Sequence, residues 1–148
     1  IHACAEAYEF ERANIWIDDM MEKGLAPTVN SYSTVLDILA KKQDMEGIQR
    51  WIKRMEKAGV QPDSVCYNML LGACNRSGDV ERAHRWFQEM LKAGITPSTV
   101  SYNLLINVHA RSGDVKDAVH WLQHMQNSDT SADRVSFNTV IKAFTKNG

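Results

Sequence analysis

The chain repeats itself every thirty-five residues, and this period constrains its fold more than any other feature. Residues 64–80 read SVCYNMLLGACNRSGDV and residues 99–115 read TVSYNLLINVHARSGDV, with nine of seventeen positions identical. The same frame aligns four tryptophans, which are Trp16, Trp51, Trp86 and Trp121. A period of this length is typical of an array of stacked supersecondary units. We therefore divide the chain into complete units at 29–63, 64–98 and 99–133, with partial units at 1–28 and 134–148.

Each complete unit carries two apolar stripes with helical spacing. In residues 64–98 these are Tyr67, Leu70, Leu71 and Cys74, followed by Ala83, Trp86, Phe87 and Met90. Apolar residues at i, i+3, i+4 and i+7 predict the buried face of an amphipathic helix. No segment alternates between apolar and polar residues as a strand would. The sequence therefore predicts an all-α fold, a right-handed α-solenoid (superhelix) of stacked helix-turn-helix repeats.

An acidic residue follows the turn between the two stripes. Its side chain suits a helix N-cap, because it accepts hydrogen bonds from the free N–H groups of the first turn and its charge favours the positive helix end. These positions, one per unit, are Glu9, Asp44, Asp79 and Asp114. We expect each unit, the first partial one included, to begin its second helix here. Gly94 predicts the end of such a helix.

The composition matches a globular protein, with 44% hydrophobic residues and a net charge of −1. No apolar run reaches the roughly 18 residues of a membrane span, so we expect no membrane association. The cysteines Cys4, Cys66 and Cys74 lack the C-x-x-C spacing of metal sites, and free thiols favour a reducing compartment. Because both ends fall inside a repeat, we expect the chain to be part of a longer array.

A second face of the first helix repeats a fixed chemical order. In residues 64–98 it runs Val65, Asn68, Gly72 and Arg76, within about 80° of one another. Its counterparts are Asn30, Ser33, Asp37 and Lys41, then Val100, Asn103, Asn107 and Arg111, then Val135, Asn138, Lys142 and Lys146. Solvation alone explains amides and charges on one helix, but not the same order on four. Aligned cations beside amides suit a single-stranded polyanion whose bases are read.

This order, with V-x-Y-N-x-L-I, a basic residue, S-G-D, an Ala–apolar–Met second helix and G-I-x-P, resembles the pentatricopeptide repeat (PPR) family of P-type, 35-residue repeats. The resemblance covers essentially the whole chain. It implies sequence-specific binding of single-stranded RNA, one base per repeat, as part of a longer protein acting in organellar RNA processing, stability, splicing, editing or translation. It also implies a mitochondrial or plastid location and a monomeric full-length protein, and it leaves room for protein partners.

The resemblance assigns roles to individual residues. Base selection belongs to the residue after the first-helix aromatic and to the last residue of the repeat, which gives the pairs Ser33 with Asp63, Asn68 with Ser98, and Asn103 with Asp133. Thr28 and Asn138 hold the same positions without their partners. The base-sandwiching positions are Asn30, Val65, Val100 and Val135. The phosphate-contacting positions are Lys41, Arg76, Arg111 and Lys146.

The side chains of these pairs predict a target sequence. A carboxylate accepts from the ring N–H of uracil or guanine, whereas a serine hydroxyl donates to the ring acceptor of cytosine. The Asn–Asp pair therefore favours U, the Asn–Ser pair favours C and the Ser–Asp pair leans to G, so the expected target is 5′-G-C-U-pyrimidine-3′. Asn30 replaces a valine, so we expect the G to be sandwiched poorly. The linker at 127–132 lacks the Gly and Pro of its counterparts, so we expect Asp133 to be held less rigidly than Asp63.

Other candidate sites have simpler interpretations. His120 and His124 have the i, i+4 spacing of metal ligands, but lack a third ligand, so a surface pair flanking Trp121 is favoured. His109 lies on an apolar stripe, where we expect it to be packed. The tryptophans stand beside apolar residues of the second helices, which favours packing over base stacking.

No Ser-His-Asp or Cys-His arrangement and no glycine-rich phosphate loop occurs in the sequence, so we predict neither an enzyme nor a cofactor. The main alternative function is a protein-interaction scaffold of the tetratricopeptide (TPR) kind, whose repeats have 34 residues and a different aromatic pattern. A further alternative is that the array positions an enzymatic or editing domain elsewhere in the same protein.

Overall fold

The structure, a computed structural model, describes the backbone of residues 2–147 and the side chains of residues 10–146. Eight α-helices and no strand lie within these residues. Their bounds are α1 His2–Glu22, α2 Val29–Lys42, α3 Met45–Lys57, α4 Ser64–Ser77, α5 Val80–Lys92, α6 Thr99–Ser112, α7 Val115–Asn127 and α8 Arg134–Asn147. None of these helices is long and apolar enough to cross a membrane.

The helix bounds recur with the period of the sequence. First helices begin at residues 29, 64, 99 and 134, and second helices begin at 45, 80 and 115. Both spacings equal thirty-five residues. The prediction of an all-α array of helix-turn-helix repeats is confirmed.

The predicted acidic N-caps are confirmed for the three second helices that follow a turn. Asp44, Asp79 and Asp114 each accept a hydrogen bond from the backbone N–H three residues later, at 2.8, 2.9 and 3.2 Å. The residue before each cap region also allows a sharp turn, because Gln43, Gly78 and Gly113 have positive φ angles of 57, 71 and 88°. A residue with left-handed backbone angles ends one helix and allows the chain to turn into the next.

The first partial unit departs from this pattern. Helix α1 is continuous from His2 to Glu22, so the prediction that a helix begins at Glu9 is wrong. Tyr8 occupies the place of Gly78 and Gly113, and a bulky side chain disfavours the left-handed turn that would break the helix. The side chains of Glu9 and Cys4 lie outside the described residues.

The chain forms two compact units, residues 1–69 and residues 70–148. In the first unit, α2 packs against α1 and α3. Its buried side chains include Tyr32, Leu36, Ile48 and Met55. In the second unit, α6 packs against α5, α7 and α8. Its buried side chains include Phe87, Met90, Leu105, Ile106 and Met125.

The tryptophans mostly pack as predicted. Trp51, Trp86 and Trp121 are buried, and Trp51 meets the rings of Phe10 and Tyr32 edge-on. Trp16 is instead 59% exposed. The prediction of packing therefore holds for three of the four tryptophans.

Candidate nucleic-acid interface

Among the described residues, an exposed valine recurs at one repeat position. Val65, Val100 and Val135 are the second residues of α4, α6 and α8, and they are 57, 55 and 57% exposed. Asn30 holds the same place in α2 and is also exposed. Burial of apolar surface normally stabilises a fold, so an apolar side chain left outside at one repeat position is available to a ligand. These are the predicted base-sandwiching positions.

The predicted base-selecting residues at the repeat ends are helix N-caps. Asp63, Ser98 and Asp133 precede α4, α6 and α8, and each accepts from the backbone N–H three residues later, at 2.9, 3.4 and 2.9 Å. Thr28 precedes α2, where its backbone N–H donates to the hydroxyl of Ser31 at 3.3 Å. An N-cap holds its side chain in a defined direction beside the positive end of the helix.

Asn103 and Asp133 form a directly bonded pair. The Asn103 Nδ2 donates to Asp133 Oδ1 at 3.1 Å, although thirty residues separate them. The buried hydroxyl of Ser136 lies 2.5 Å from Asn103 Oδ1 and 2.9 Å from Asp133 Oδ1, and it accepts from the Asp133 N–H at 3.2 Å. The two side chains of one predicted base-selecting pair are thus bonded to each other in the structure, and the hydroxyl of Ser136 contacts both of them.

Ser136 was missed by the sequence analysis, although the sequence contains a signal. Its repeat position holds Ser31, Cys66 and Ser101 in the other units, and the side chain at this position is buried in Cys66, Ser101 and Ser136. A buried hydroxyl requires hydrogen-bond partners, and the partners here are the two base-selecting side chains.

The hydrogen bonds around Asp133 favour the ionised form of its carboxyl group. The backbone N–H of Ser136, then the Asn103 amide and the Ser136 hydroxyl, lower the pKa of the Asp133 carboxyl below its ordinary value. Hydrogen bonds to a carboxylate favour its charged form. The pair therefore offers an anionic acceptor beside an amide donor.

The Ser33–Asp63 pair is placed differently. The Ser33 hydroxyl donates to the carbonyl of Asn30 at 3.0 Å, while the Asp63 carboxylate caps α4, so each side chain of this pair bonds to its own helix. Asn68 is half-buried in the second turn of α4, and Asn138 is exposed at the corresponding place in α8. The Asn103–Asp133 geometry is therefore not common to every pair.

The linker before Asp133 replaces the missing Gly and Pro with hydrogen bonds. The Thr130 hydroxyl donates to the carbonyl of Pro97, and the Thr99 hydroxyl donates to the carbonyl of Ser131, both at 3.1 Å. These hydrogen bonds connect the linker at 127–132 to Pro97 of the preceding linker and to the first residue of α6. The lower rigidity expected for Asp133 stays a prediction.

The predicted phosphate-contacting residues lie at the C-terminal ends of the first helices. Lys41 pairs with Asp37 at 2.7 Å, and the Arg111 guanidinium donates to the carbonyl of Asn75. Arg111 and Lys146 line one groove of about 250 Å³ together with Lys142, which is a further cation at this surface. Arg76 is exposed in the last turn of α4. The groove concentrates positive charge between α6 and α8.

The histidines on α7 pack as predicted. The rings of His120 and His124 lie 5.7 and 5.3 Å from the Trp121 ring, so they flank it. His124 also shares a hydrogen bond of 3.0 Å with the Tyr102 hydroxyl.

Family comparisons identify the chain. A model described as the PPR repeat family matches residues 62–107 and 97–146, which together are more than half of the chain. A model described as a pentatricopeptide repeat domain matches residues 15–77. The chain belongs to the pentatricopeptide repeat family. No match was found among curated proteins.

Solved structures agree with this assignment. The chain is similar to the maize pentatricopeptide repeat protein PPR10, solved in complex with an 18-nucleotide psaJ RNA element, with 29% identity and a TM-score of 0.77. That match covers 98% of this chain and 22% of PPR10, so the chain spans about a fifth of that protein. The PPR domain of Arabidopsis thaliana protein-only RNase P 1, solved in complex with tRNA, shares the fold with 20% identity and a TM-score of 0.73, over 98% of this chain and 77% of that one.

Proposed function

We propose that this chain binds single-stranded RNA and that each repeat reads one base. The observation that carries the proposal is an exposed valine at one repeat position, combined with the bonded Asn103–Asp133 pair. The valine offers an apolar surface to the face of a base, and the pair offers hydrogen bonds to its edge. PPR10 and the PPR domain of protein-only RNase P 1, which resemble this chain, were solved with RNA bound.

The Asn103–Asp133 pair matches uracil by its hydrogen-bonding groups. One Asn103 N–H is used by Asp133 Oδ1, which leaves the second N–H as a donor and Asp133 Oδ2 as an acceptor. Uracil presents a carbonyl oxygen next to its ring N3–H, which complements this donor and acceptor. Cytosine instead turns a ring lone pair toward the carboxylate, which is repulsive. The preference for U at this repeat follows.

The full target that we propose is 5′-G-C-U-pyrimidine-3′. Asn68 with Ser98 reads the C, Ser33 with Asp63 reads the G, and Asn138 reads the last base. Cations at Lys41, Arg76, Arg111 and Lys146 contact the phosphates, with Lys142 assisting on α8. We further propose that the chain acts within a longer protein in organellar RNA processing, stability, editing or translation, in a mitochondrion or plastid.

The test exchanges residues between two repeats. Asp133→Ser introduces the residue that Ser98 supplies one repeat earlier, and Ser98→Asp makes the reverse change. Both residue types already cap first helices in this chain, so the fold should survive each exchange. Fluorescence anisotropy at fixed low salt would compare single-stranded GCUU, GCCU and GUUU sites in a neutral RNA context.

We expect Asp133→Ser to move the third base from U to C, and Ser98→Asp to move the second base from C to U. Unchanged preferences in both variants would overturn base reading by these residues. If the wild type binds none of the RNAs while circular dichroism shows a folded helical protein, the result would favour a protein-interaction scaffold instead.

A further inference from the structure

His109 is a buried imidazole without a hydrogen bond. It lies on α6, is 4% exposed, and neither of its ring nitrogens has a hydrogen-bond partner. Buried polar groups are nearly always paired, so an orphaned one requires an explanation such as a bound ion. Nothing in the proposed RNA site uses this side chain.

Two carboxylates converge on this imidazole from the start of α7. The Oδ2 atoms of Asp114 and Asp117 lie 4.0 and 3.9 Å from His109 Nδ1. These distances are too long for hydrogen bonds. The three candidate ligand atoms lie within 4.8 Å of one another. Asp114 caps α7 through Oδ1, which leaves Oδ2 free to face the imidazole.

In the preceding repeat, an arginine lies beside the capping aspartate. There, the same three positions hold Cys74, Asp79 and Arg82, and the Arg82 Nε lies 3.4 Å from Asp79 Oδ2. In unit 99–133 the position of that arginine is taken by Asp117. A cation beside the capping aspartate is thus replaced by a second negative charge, and the two carboxylates repel each other unless a cation is supplied.

We propose that His109 Nδ1, Asp114 Oδ2 and Asp117 Oδ2 bind a divalent cation. One imidazole nitrogen and two carboxylate oxygens suit a borderline ion such as Zn²⁺, with water completing the coordination. Ligands of zinc lie about 2.0–2.2 Å from the metal, so the three atoms must move together by roughly half an ångström. The aspartate side chains are 46 and 56% exposed and have room for this movement.

The other complete repeats cannot form such a site. The equivalent positions hold Leu39, Asp44 and Gly47 in unit 29–63. Because only unit 99–133 combines an imidazole with two carboxylates, we expect one ion per chain. The ion would connect the end of α6 to the start of α7 and stabilise this hairpin.

The test titrates the 148-residue chain with zinc chloride by isothermal titration calorimetry, without RNA. Asp117→Arg installs the residue found at this place in the preceding repeat, and His109→Leu installs the residue of the repeat before that. His120→Gln is the matched control, because His120 is an exposed histidine of α7, the helix that carries Asp117, and is not one of the three proposed ligands. Circular dichroism checks the fold of each variant, and Asp117→Arg decides the outcome if His109→Leu does not fold.

We expect one zinc ion to bind the wild type and the His120→Gln control, and to raise the melting temperature of both. Binding should weaken at least tenfold in Asp117→Arg and His109→Leu. A ¹⁵N spectrum should show zinc shifting the Nδ1 resonance of His109. No binding at millimolar zinc would overturn the proposal, as would equal affinity in Asp117→Arg and the control. Neither result depends on whether the chain binds RNA.

Discussion

Val135 and Ile141 provide a matched test of base contact on a single helix. Both residues lie on α8, and each is 57% exposed. Val135 occupies the predicted base-sandwiching position, close to Asp133 in sequence, whereas Ile141 belongs to the apolar stripe that contains Ile106 in the preceding repeat. If the exposed valine contacts a base, truncating it should weaken RNA binding, while truncating the isoleucine should not.

The magnitude follows from the surface involved. Val135→Ala removes two methyl groups, and burying each contributes about 0.8 kcal/mol. Partial cover by a base therefore predicts a loss of about 1–1.5 kcal/mol, which is about a tenfold increase in Kd. Because Val135 is already exposed in the free protein, the free energy of unfolding should change by less than about 0.5 kcal/mol.

The assay is fluorescence anisotropy with a labelled GCUU site, together with thermal melting of each variant. Ile141→Ala removes more apolar surface than Val135→Ala, yet we expect its Kd to stay within about twofold of the wild type. An equal loss of affinity in both variants would indicate unspecific apolar attraction. No loss in Val135→Ala would refute contact between this valine and a base.

Four shorter predictions follow from the same geometry. Ser136→Ala should reduce U-over-C discrimination at the third base about fivefold, measured by anisotropy, because Asn103 loses the hydroxyl that orients its amide. Arg111→Gln should weaken binding to all RNAs alike and lower the salt slope by about 1. Burial raises the pKa of Cys66 to about 11 and of Cys74 to about 12, so both thiols should resist a disulfide reagent at pH 8 until urea is added. The hydrogen bonds that lower the pKa of Asp133 stabilise the fold at pH values above the ordinary carboxyl pKa of 3.8, and this stabilisation is lost as the pH falls through the lowered pKa. Asp133→Asn should therefore flatten the dependence of unfolding on pH below about pH 4, measured by acid unfolding curves.

The sequence predicted those parts of the structure that depend on local rules repeated at a fixed period. Helix bounds, the caps Asp44, Asp79 and Asp114, and the burial of His109 all follow from spacing and residue type. Helix α1 was mispredicted at Glu9, because an acidic residue marks a helix start only where the preceding residue also allows the chain to turn.

The parts that were not predicted depend on the directions of side chains that are distant in sequence. Ser136 meets Asn103 only because α7 returns the chain to the start of α8, and the spacing alone does not show which way the hydroxyl points. The convergence of Asp117 on His109 depends in the same way on how α7 packs against α6. Comparison of the repeats still offers a clue in each case, because a small polar residue recurs at the position of Ser136, whereas Asp117 departs from Gly47 and Arg82 in the earlier units.

The last residue of each repeat is both a helix N-cap and a proposed base-selecting residue, and this combination limits the side chains that can occupy the position. A helix starts directly after each of these residues, which are Thr28, Asp63, Ser98 and Asp133. Ser, Thr, Asp and Asn are strongly preferred at such a position, and their replacement by alanine costs about 0.5–2 kcal/mol. Helix stability thus favours a small set of short, hydrogen-bonding residues at the position proposed to face a base. Exchanges within this set alter hydrogen bonding while leaving the fold intact. If these residues read bases as proposed, such an array acquires a new target by single substitutions without passing through an unstable intermediate.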